Sequence, residues 1–597
     1  MDFYEEASLV MVPSGYKDQK VYSSVPDDGS ADLTFSRAST ATRVDSEGLV
    51  EKVRTNLLLQ SNQFDTTWVI DDITLTSAQS GYDGSSDAWR WELTGAAGKL
   101  QNFITHSGVH TISFYAKSGT LDFVRVSVDG GNGQYFNLST GALASQLGTI
   151  IDANIVSAGG SWYRCSFSIN QAITNVAIYP ATADNDLTAT SGNIYIQDTQ
   201  LEYGLVATPY IETTTAAVSV GPVANLPRLS YDPTNPTSPS LLLEPQRTNL
   251  VSQSEYLSGS FWFDDDITKV QNTSETLSPE GVYNAIKLTE TATNARHRLA
   301  SNALTITNQV YTASVFLKKG TARYGFIHLS GANAYTIVVD LEDGTITDTA
   351  TNSTIVHQSV EDYGNGWYRC SVAGNMAAVT TAYIVQFGTA GSAEPTYNNY
   401  VPQFLGSTSN NLYAFGASLE AASYSTSYIP TYGAATTRGA DSALKTGISS
   451  LIGQTEGTIF VEAEYIDGVN DARVSLSDGN TNNWIFIGAP EPTAGDIKMR
   501  MYINAGGVNQ VNKFSSTVVT KGVHKYAMAY KENDVVMYLD GQNEGSDTSA
   551  TIPACSRFDI TGGSPISNNA LISTGIKQVI FFPTRLTNAQ LAELTTL

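Results

Sequence analysis

Basic residues are scarce in this 597-residue chain: 33 Lys and Arg stand against 57 Asp and Glu, a formal net charge of −24. No basic patch with interleaved aromatics offsets that balance, which argues against nucleic acid and anionic membrane as partners. Long apolar runs are missing as well, with no stretch of about 18 apolar residues, the length a helix needs to cross a bilayer. The opening Met1 to Val10 lacks the basic flank and apolar run of a secretory leader, so synthesis in a cytoplasm and a soluble chain are expected. Cysteine is limited to three residues, and Cys165 and Cys370 both stand in the string WYRCS, so burial in the reduced state is expected rather than a bridge. His106, His110, His297, His328, His357 and His524 form no HxH or HExxH spacing and the cysteines no CxxC, which argues against zinc. A GxSxG elbow and a phosphate-cradling GxxxxGK are also missing. Finally, hardly any stretch shows the apolar spacing of a helix.

What the chain has in quantity is Gly, Ser, Thr, Asn and Tyr, and a long internal repeat. RTNLLLQS (Arg54 to Ser61) returns as RTNLVSQS (Arg247 to Ser254), and LEYGLVATPYI (Leu201 to Ile211) returns as LEAASYSTSYI (Leu419 to Ile429). Between them HTISFYAKSGT at His110 matches YTASVFLKKGT at Tyr311, and WYRCS at Trp162 matches WYRCS at Trp367. The offset between partners grows slowly along the repeat, as small loop insertions in one scaffold would make it. A repeat this long is a duplicated domain and not a solenoid unit, so beads on a string are expected. Within it, Thr111, Ser113 and Tyr115 alternate with Ile112, Phe114 and Ala116, the period of a half-buried strand, and Phe123 to Val128 continues the pattern.

The expected fold class is therefore all-β, divided into 1–53 as an N-terminal β or attachment segment, 54–219 as module 1, 220–246 as a Pro-rich linker, 247–440 as module 2 and 441–597 as a third sandwich of another type. YDPTNPTSPS (Tyr231 to Ser240) carries three prolines and reads as a stiff extended linker. Near the C-terminus, Thr587 precedes Gln590 by three residues, the spacing of a capping box, which predicts one short closing helix.

Candidates for chemistry are few. Of the seven tryptophans, Trp68, Trp89, Trp91, Trp162, Trp262 and Trp367 fall at repeat-equivalent or alternating strand positions and read as core. Trp484 lies outside the repeat; it reads as a sugar-stacking residue beside Asp478, Asn480, Asn482 and Asn483, or as a buried strand residue. Asp467 and Asp471 in DGVNDAR have the oxygen chemistry calcium prefers, but none of the acidic clusters shows EF-hand spacing, and solvated turns are the simpler reading. An insertion in module 2 with Tyr397, Asn398, Asn399, Tyr400 and Phe404 reads as a binding loop, or as a loop packed against a neighbouring subunit or module. No catalytic residue stands out.

FSRASTATRVDSEGLVE (Phe35 to Glu51), LPRLSYD (Leu226 to Asp232), SLLLEPQRTNL (Ser240 to Leu250) and SYIPTYGAATTRGADS (Ser427 to Ser442) resemble strings of tailed-bacteriophage virion proteins, where they flank carbohydrate-binding-like β-sandwiches. Residues 441–597, with VVMYLDGQ and the closing FFPTRLTNAQLAEL, resemble the concanavalin A-like lectin/glucanase (laminin G-like) jelly roll. The resemblance implies two jelly-roll sandwiches of the carbohydrate-binding-module type followed by a lectin-like one, in a fibre or spike-type virion protein. It implies other virion proteins and host-surface polysaccharide as partners, a homo-oligomer with a trimer favoured, no cofactor apart from calcium at the rim of the third domain, and no enzymatic activity. A capsid-decorating, head-fibre or tail-collar part without a ligand, and a capsular polysaccharide depolymerase, remain the alternatives.

Overall fold

A computed structural model describes residues 3–465, 473–489, 497–560 and 574–597. It is almost entirely antiparallel β-structure, in three sandwiches. In module 1 one six-stranded sheet runs Asp152–Gly159, Trp162–Asn170, Val109–Ser118, Asn193–Tyr203, Ala88–Leu93, Ile73–Gln79. The corresponding sheet of module 2 runs Ile355–Asp362, Trp367–Met376, Gln309–Lys319, Asn411–Glu420, Ile286–Glu290, Ile267–Val270. The order is the same, and so is the register: Phe114 pairs with Cys165 as Val315 pairs with Cys370. Both cysteines are buried and free, as is Cys555. The six tryptophans of the repeat are buried between the two sheets of each module or beneath its loops, where each aromatic side chain removed from water stabilises by roughly 1.5–3 kcal/mol.

The two copies also share a bulge. The register between Val109–Ser118 and Asn193–Tyr203 slips between Ser113 and Tyr115, and between Gln309–Lys319 and Asn411–Glu420 it slips between Ser314 and Phe316. The extra residue is Asp198 in module 1, with φ +54°, and Gly416 in module 2, with φ +61°. Left-handed backbone at a bulge suits glycine, and aspartate is among the other residues that adopt it: Asp72, Asp129, Asp266 and Asp540 are left-handed as well.

The third sandwich differs from the expected division of the chain. Its eight-stranded sheet contains Leu9–Met11 from the N-terminus and the hairpin Arg228–Ser230 with Ser240–Leu243 from between the modules, beside Thr574–Phe582 and Glu456–Tyr465. Its nine-stranded sheet contains Tyr16–Lys17, Lys20–Val21 and Leu33–Ser36, the last paired with Ser442–Thr446. One apolar core accordingly mixes Leu9, Leu33, Phe35, Leu241 and Leu243 with Ile459, Met528 and Phe581. The N-terminal stretch is thus part of this sandwich rather than a separate attachment segment, and the proline-rich tract is the loop of a hairpin rather than a linker. The three sandwiches are not beads on a string: the third is a hub, and each module is an excursion that leaves it and returns. At the end of the chain the expected helix forms as Asn588–Leu594, with Thr587 and Gln590 in a reciprocal capping box.

Where the excursions begin and end, five charged side chains are buried together. Arg37 Nη1 lies 3.0 Å from Asp441 Oδ1, Arg228 binds both Asp441 and Glu244, and Arg438 Nη1 lies 2.8 Å from Glu244 Oε2. None of the five is more than 2% exposed. The surplus guanidinium is satisfied by backbone: Arg37 donates to the carbonyls of Ser39, Pro222 and Val223, and Arg438 to that of Pro245. Burial and the adjacent Arg228 push Arg37 down to about 10, whereas Glu244, which burial alone would raise, is held well below its ordinary value by Arg438 and Arg228.

A second buried group fixes module 2. Lys52, on the hairpin Thr42–Val44 and Val50–Lys52, places its ammonium 2.8 Å from Glu255 and 3.0 Å from Glu280. Burial would lower Lys52, but the two carboxylates hold it well above its ordinary value.

Two outcomes follow from these clusters. Asp441→Ala leaves Arg37 and Arg228 without their shared carboxylate and is expected to cost about 3–5 kcal/mol in urea unfolding, with Arg37 becoming a trypsin site in otherwise native conditions. An unchanged midpoint and a protected Arg37 would show that the cluster does not hold the hub together. Lys52→Met leaves Glu255 buried beside Glu280 with no ammonium between them, and burial then raises the folded-state pKa of Glu255 further above the unfolded value. The native variant then binds more protons than the unfolded chain, so its stability is intact at low pH and is lost as pH rises. Unfolding of the variant should fall short of the parent by about 3–5 kcal/mol near neutral pH and above, and the gap should narrow toward about pH 5, near the carboxylate range.

Candidate functional site

The equivalent faces of the two modules have opposite fates. In module 2, Phe316, Phe415, Tyr428, Trp367 and Ala285 form an apolar cluster sealed by Val50 of the N-terminal hairpin. The matching positions of module 1 are Tyr115, Gln197, Tyr210, Trp162 and Ala88, and here the module's own loop Gly81 to Asp87, not the N-terminal hairpin, lies over Tyr115 and Gln197. A cleft of about 650 Å3 opens beside Tyr82, Tyr115 and Arg164, with Asp152 and Asn154 along its edge strand and Leu277 on the facing module 2 loop. Val156, Leu277 and Tyr283 are exposed around it, an apolar rim on an otherwise polar floor.

Local sequence explains the floor. Thr111, Ser113 and Tyr115 fall on one side of their strand by simple alternation, and Arg164 comes alongside because Tyr115 pairs with it directly. Tyr82 is delivered by the loop Gly81 to Asp87 and lies flat on Tyr115, ring centroids 3.5 Å apart and planes 4° apart. That loop lies directly on the strand below: a Cβ at Gly81 would come within 2.4 Å of Gln197 Oε1, so a side chain there would displace the Gln197 amide. Gln197 in turn accepts from the Tyr82 backbone N–H at 3.0 Å and donates to Asp87 at 2.7 Å and Asp83 at 3.3 Å. Arg164 sits 5.5 Å from the Tyr115 ring centre and donates to Ser113 and the Thr208 carbonyl. The facing loop is latched by Asn272, which donates to Asp152 at 3.1 Å and to the Leu205 carbonyl at 3.0 Å.

Behind Tyr82, outside the lining of the cleft, lies a group of acids. Tyr82 donates its hydroxyl to Asp198 at 3.0 Å, and Asp198 is 6% exposed. Burial pushes that carboxyl up to about 7, against the Tyr82 hydrogen bond, and the charges of Asp87, Asp83 and Glu212 push in the same direction.

A second cavity, of about 700 Å3, lies where the N-terminal segment meets both modules. Thr55 pairs with Ser219, Thr437 with Thr248, and Tyr203 stacks on Tyr432 at 5.7 Å, whereas Gln253 Oε1 and Arg438 Nε in its lining are buried without a hydrogen-bond partner among the described residues. Like the module 1 cleft it presents rings and polar groups to solvent.

The residues singled out in the sequence lie elsewhere. Trp484 is half-buried on the outer face of the nine-stranded sheet, 4.8 Å from Phe486 and 5.4 Å from Tyr502. Asp478, Asn480, Asn482 and Asn483 form the turn before it: Asp478 accepts from the Asn480 backbone and the Asn483 side chain, and Asn480 accepts from the Asn482 backbone. Tyr397 and Tyr400 belong to a small hairpin folded onto their own module. Tyr397 donates to Asp348 at 2.7 Å, the Tyr400 carbonyl accepts from Thr336, and Val401 packs with Phe326 and Val338. Asp467 and Asp471 lie outside the described residues. Among the described residues no group of three His, Cys, Asp or Glu is arranged to hold a metal ion. The cleft itself was signalled in the aligned strings, where Tyr115 and Gln197 stand opposite Phe316 and Phe415, a polar-for-apolar exchange on one face.

No protein family and no curated protein matches this chain. Among solved structures, similarity is found to the Ruminococcus gnavus IT-sialidase CBM40, at 13% identity, covering 25% of this chain and 91% of that one, with a TM-score of 0.21. Domains LG4-5 of the mouse laminin alpha1 chain are similar at 9% identity, 47% and 88% coverage and a TM-score of 0.16. A Trypanosoma rangeli sialidase in complex with 2,3-difluorosialic acid is similar at 11% identity, 94% and 97% coverage and a TM-score of 0.20. The presence of a glycosidase in this group corrects the expectation of a chain without enzymatic activity, which is not carried further. At these scores the likenesses carry no functional argument, and the function has to be argued from the cleft.

Proposed function

We propose that this chain is a glycan-binding, adhesive component of a tailed-phage virion, and that module 1 carries the binding site. The observation that supports it is the asymmetry of the repeat: the face that module 2 closes with Val50 and a set of aromatic rings is covered in module 1 by the polar Tyr82 loop, and an open cleft borders it. Sugars present apolar C–H faces and many hydroxyls. The Tyr82–Tyr115 pair, Leu277 and Tyr283 suit the former, and Asp152, Asn154 and the floor serines suit the latter. The virion setting is supported by the four flanking strings that resemble phage proteins. Those strings are the junctions of the hub with its modules, so they report a shared architecture. In this setting the hub is held in the particle with other virion proteins, several copies act together as an oligomer, and weak single-site affinity is multiplied by avidity.

Binding of the full chain to a glycan array and to candidate host cells tests the proposal, with sugar products assayed in the same samples. Saturable binding is expected, falling about tenfold, or about 1.4 kcal/mol, in Tyr115→Ala and Tyr82→Ala and unchanged in Trp484→Ala. Binding that survives both tyrosine substitutions would move the site away from module 1, and silence in every arm would leave the chain a particle-building part. Release of reducing ends or unsaturated sugars would add cleavage to binding.

A further inference from the structure

The two modules share one strand register, so the face that carries the cleft can be compared with its counterpart residue by residue. In module 1 one row across the three strands at the sheet edge is Tyr115, Arg164 and Val156, and the row below it is Ser113, Ser166 and Asn154. The first row of module 2 is Phe316, Arg369 and Glu361. The arginine is kept, in the shared string WYRCS, and so is its anchor. Arg164 donates to Ser113 and the Thr208 carbonyl as Arg369 donates to Ser314 and the Thr426 carbonyl.

What surrounds the arginine is not kept. In module 2, Glu361 pairs with Arg369 across the strands, and Tyr363 packs edge-on against Phe316 at 4.9 Å. Burial would lower Arg369, but Tyr363, Glu361 and Glu420 hold it above its ordinary value, and the residue is 2% exposed. The space left on that face is about 110 Å3. In module 1, Val156 stands in place of Glu361 and Ala158 in place of Tyr363. Arg164 is only half-buried, and among the described residues it is the one Lys or Arg lining the cleft.

Its guanidinium is turned as well. Arg369 uses Nη1 for Thr426 and Nη2 for Ser314, whereas Arg164 makes both contacts with Nη2. Among the described residues Nη1 and Nε of Arg164 have no hydrogen-bond partner, and no carboxylate forms an ion pair with it. Glu202 behind it is taken up by Thr208 and Gln200, as Glu420 is by Thr426 in module 2. Asp152, the one acid in the lining, lies four residues along the edge strand from Val156, about 13 Å at about 3.3 Å per residue, and accepts from Asn272. A cation that module 2 shields with a carboxylate and a phenol is therefore presented on the floor of an open cleft.

We infer that the module 1 cleft selects glycans that carry a carboxylate, with the acid group on Arg164 and neighbouring hydroxyls on Ser166 and Asn154. The inference rests on the glycan-binding reading and narrows it to acidic sugars. In this pose the carboxylate takes the place that Glu361 holds in module 2, and Val156, Leu277 and Tyr283 meet the C–H face of the ring. A guanidinium prefers a carboxylate to a hydroxyl because a charge-assisted hydrogen bond is about twice as strong as a neutral one.

Titration calorimetry of the full chain tests it with tetragalacturonate beside its methyl ester, and with sialyllactose beside lactose. Short sugars are the suitable probes, since a net charge of −24 repels long polyanions. The two acids distinguish a uronic acid from a sialic acid as the source of the carboxylate. At least one of them should bind about tenfold or more tightly than its neutral counterpart. Arg164→Gln should remove that preference, and Arg164→Lys should recover only part of it, because the planar fork is lost. Arg164 also anchors the Thr208 carbonyl, so Val156→Glu gives an independent arm. At a position 53% exposed it rebuilds the module 2 row and supplies Arg164 with a carboxylate, and it should abolish the preference in a protein with the parent's unfolding midpoint. Equal binding of each acid and its neutral counterpart, or a preference that survives Val156→Glu, would overturn the carboxylate assignment and leave a glycan site in place. Silence toward all four sugars would overturn it too, and the glycan array then tells whether the glycan reading falls with it.

Discussion

Everything else in this chain hangs on the buried cluster of Arg37, Arg228, Arg438, Glu244 and Asp441. Its members come from the four places where the backbone leaves the hub or re-enters it. Each guanidinium loses its hydration on folding and regains partners only if the other crossings are in position. A conventional linker would let each module swing. Here the crossings are clamped by charge-assisted hydrogen bonds with fixed directions, so each module is held at both its entrance and its exit. Buried ion networks seldom add net stability over an apolar core, but they do penalise every arrangement in which one member is unpaired. For two near-identical modules inserted into one sandwich, that penalty discriminates against exchanging them.

The two copies of the module differ in what covers them. Module 2 is reached by the N-terminal hairpin, which lays Val50 over its aromatic face and Lys52 between Glu255 and Glu280. Module 1 has no such visitor, and its corresponding positions have become polar: Tyr for Phe at 115, Gln for Phe at 197, Asp for Gly at 198. Gln197 and Asp198 are nonetheless buried, and their polarity is met by the loop above: Gln197 accepts from the Tyr82 N–H and donates to Asp87, and Asp198 accepts from the Tyr82 hydroxyl. Module 1 instead touches module 2 along another edge, where the Tyr432 carbonyl accepts from Val109 and Gly108 packs so closely that no side chain would fit.

Much of this architecture could be read from the chain alone, and the unread part has a physical cause. The repeat, the all-β class, the buried tryptophans and the capping box at Thr587 depend on contacts near in sequence or on matched strings. The hub does not. Its added strands, such as Leu33–Ser36, Arg228–Ser230 and Ser240–Leu243, are three or four residues long, too short to show a period. Their partners lie hundreds of residues away, so the proline-rich tract between two of them resembles a linker. Arg37, Arg228 and Arg438 look like surface residues until three distant segments meet. The cleft was half legible: the Tyr115 to Phe316 exchange is plain in the aligned strings, but its meaning depends on knowing that Val50 covers one and not the other. Trp484 drew notice because tryptophan is rare, although a ring beside Phe486 and Tyr502 is as well explained by its sheet neighbours.

A duplicated module is usually informative through what both copies keep. In this chain the changed positions tell more, because the sealed copy records the chemistry its face will accept. Glu255 and Glu280 tolerate burial only because Lys52 lies between them, and burial still leaves Glu255 raised above its ordinary value. Module 1 has Asn62 opposite Glu255, Asp83 opposite Glu280 and Asp198 opposite Gly416, and among the described residues no lysine is paired with these aspartates. Asp83 and Asp87 are exposed turn residues there, and the buried Asp198 accepts from the Tyr82 hydroxyl. A lysine is thus needed where two carboxylates are buried side by side, and not where the acids are exposed or held by neutral donors.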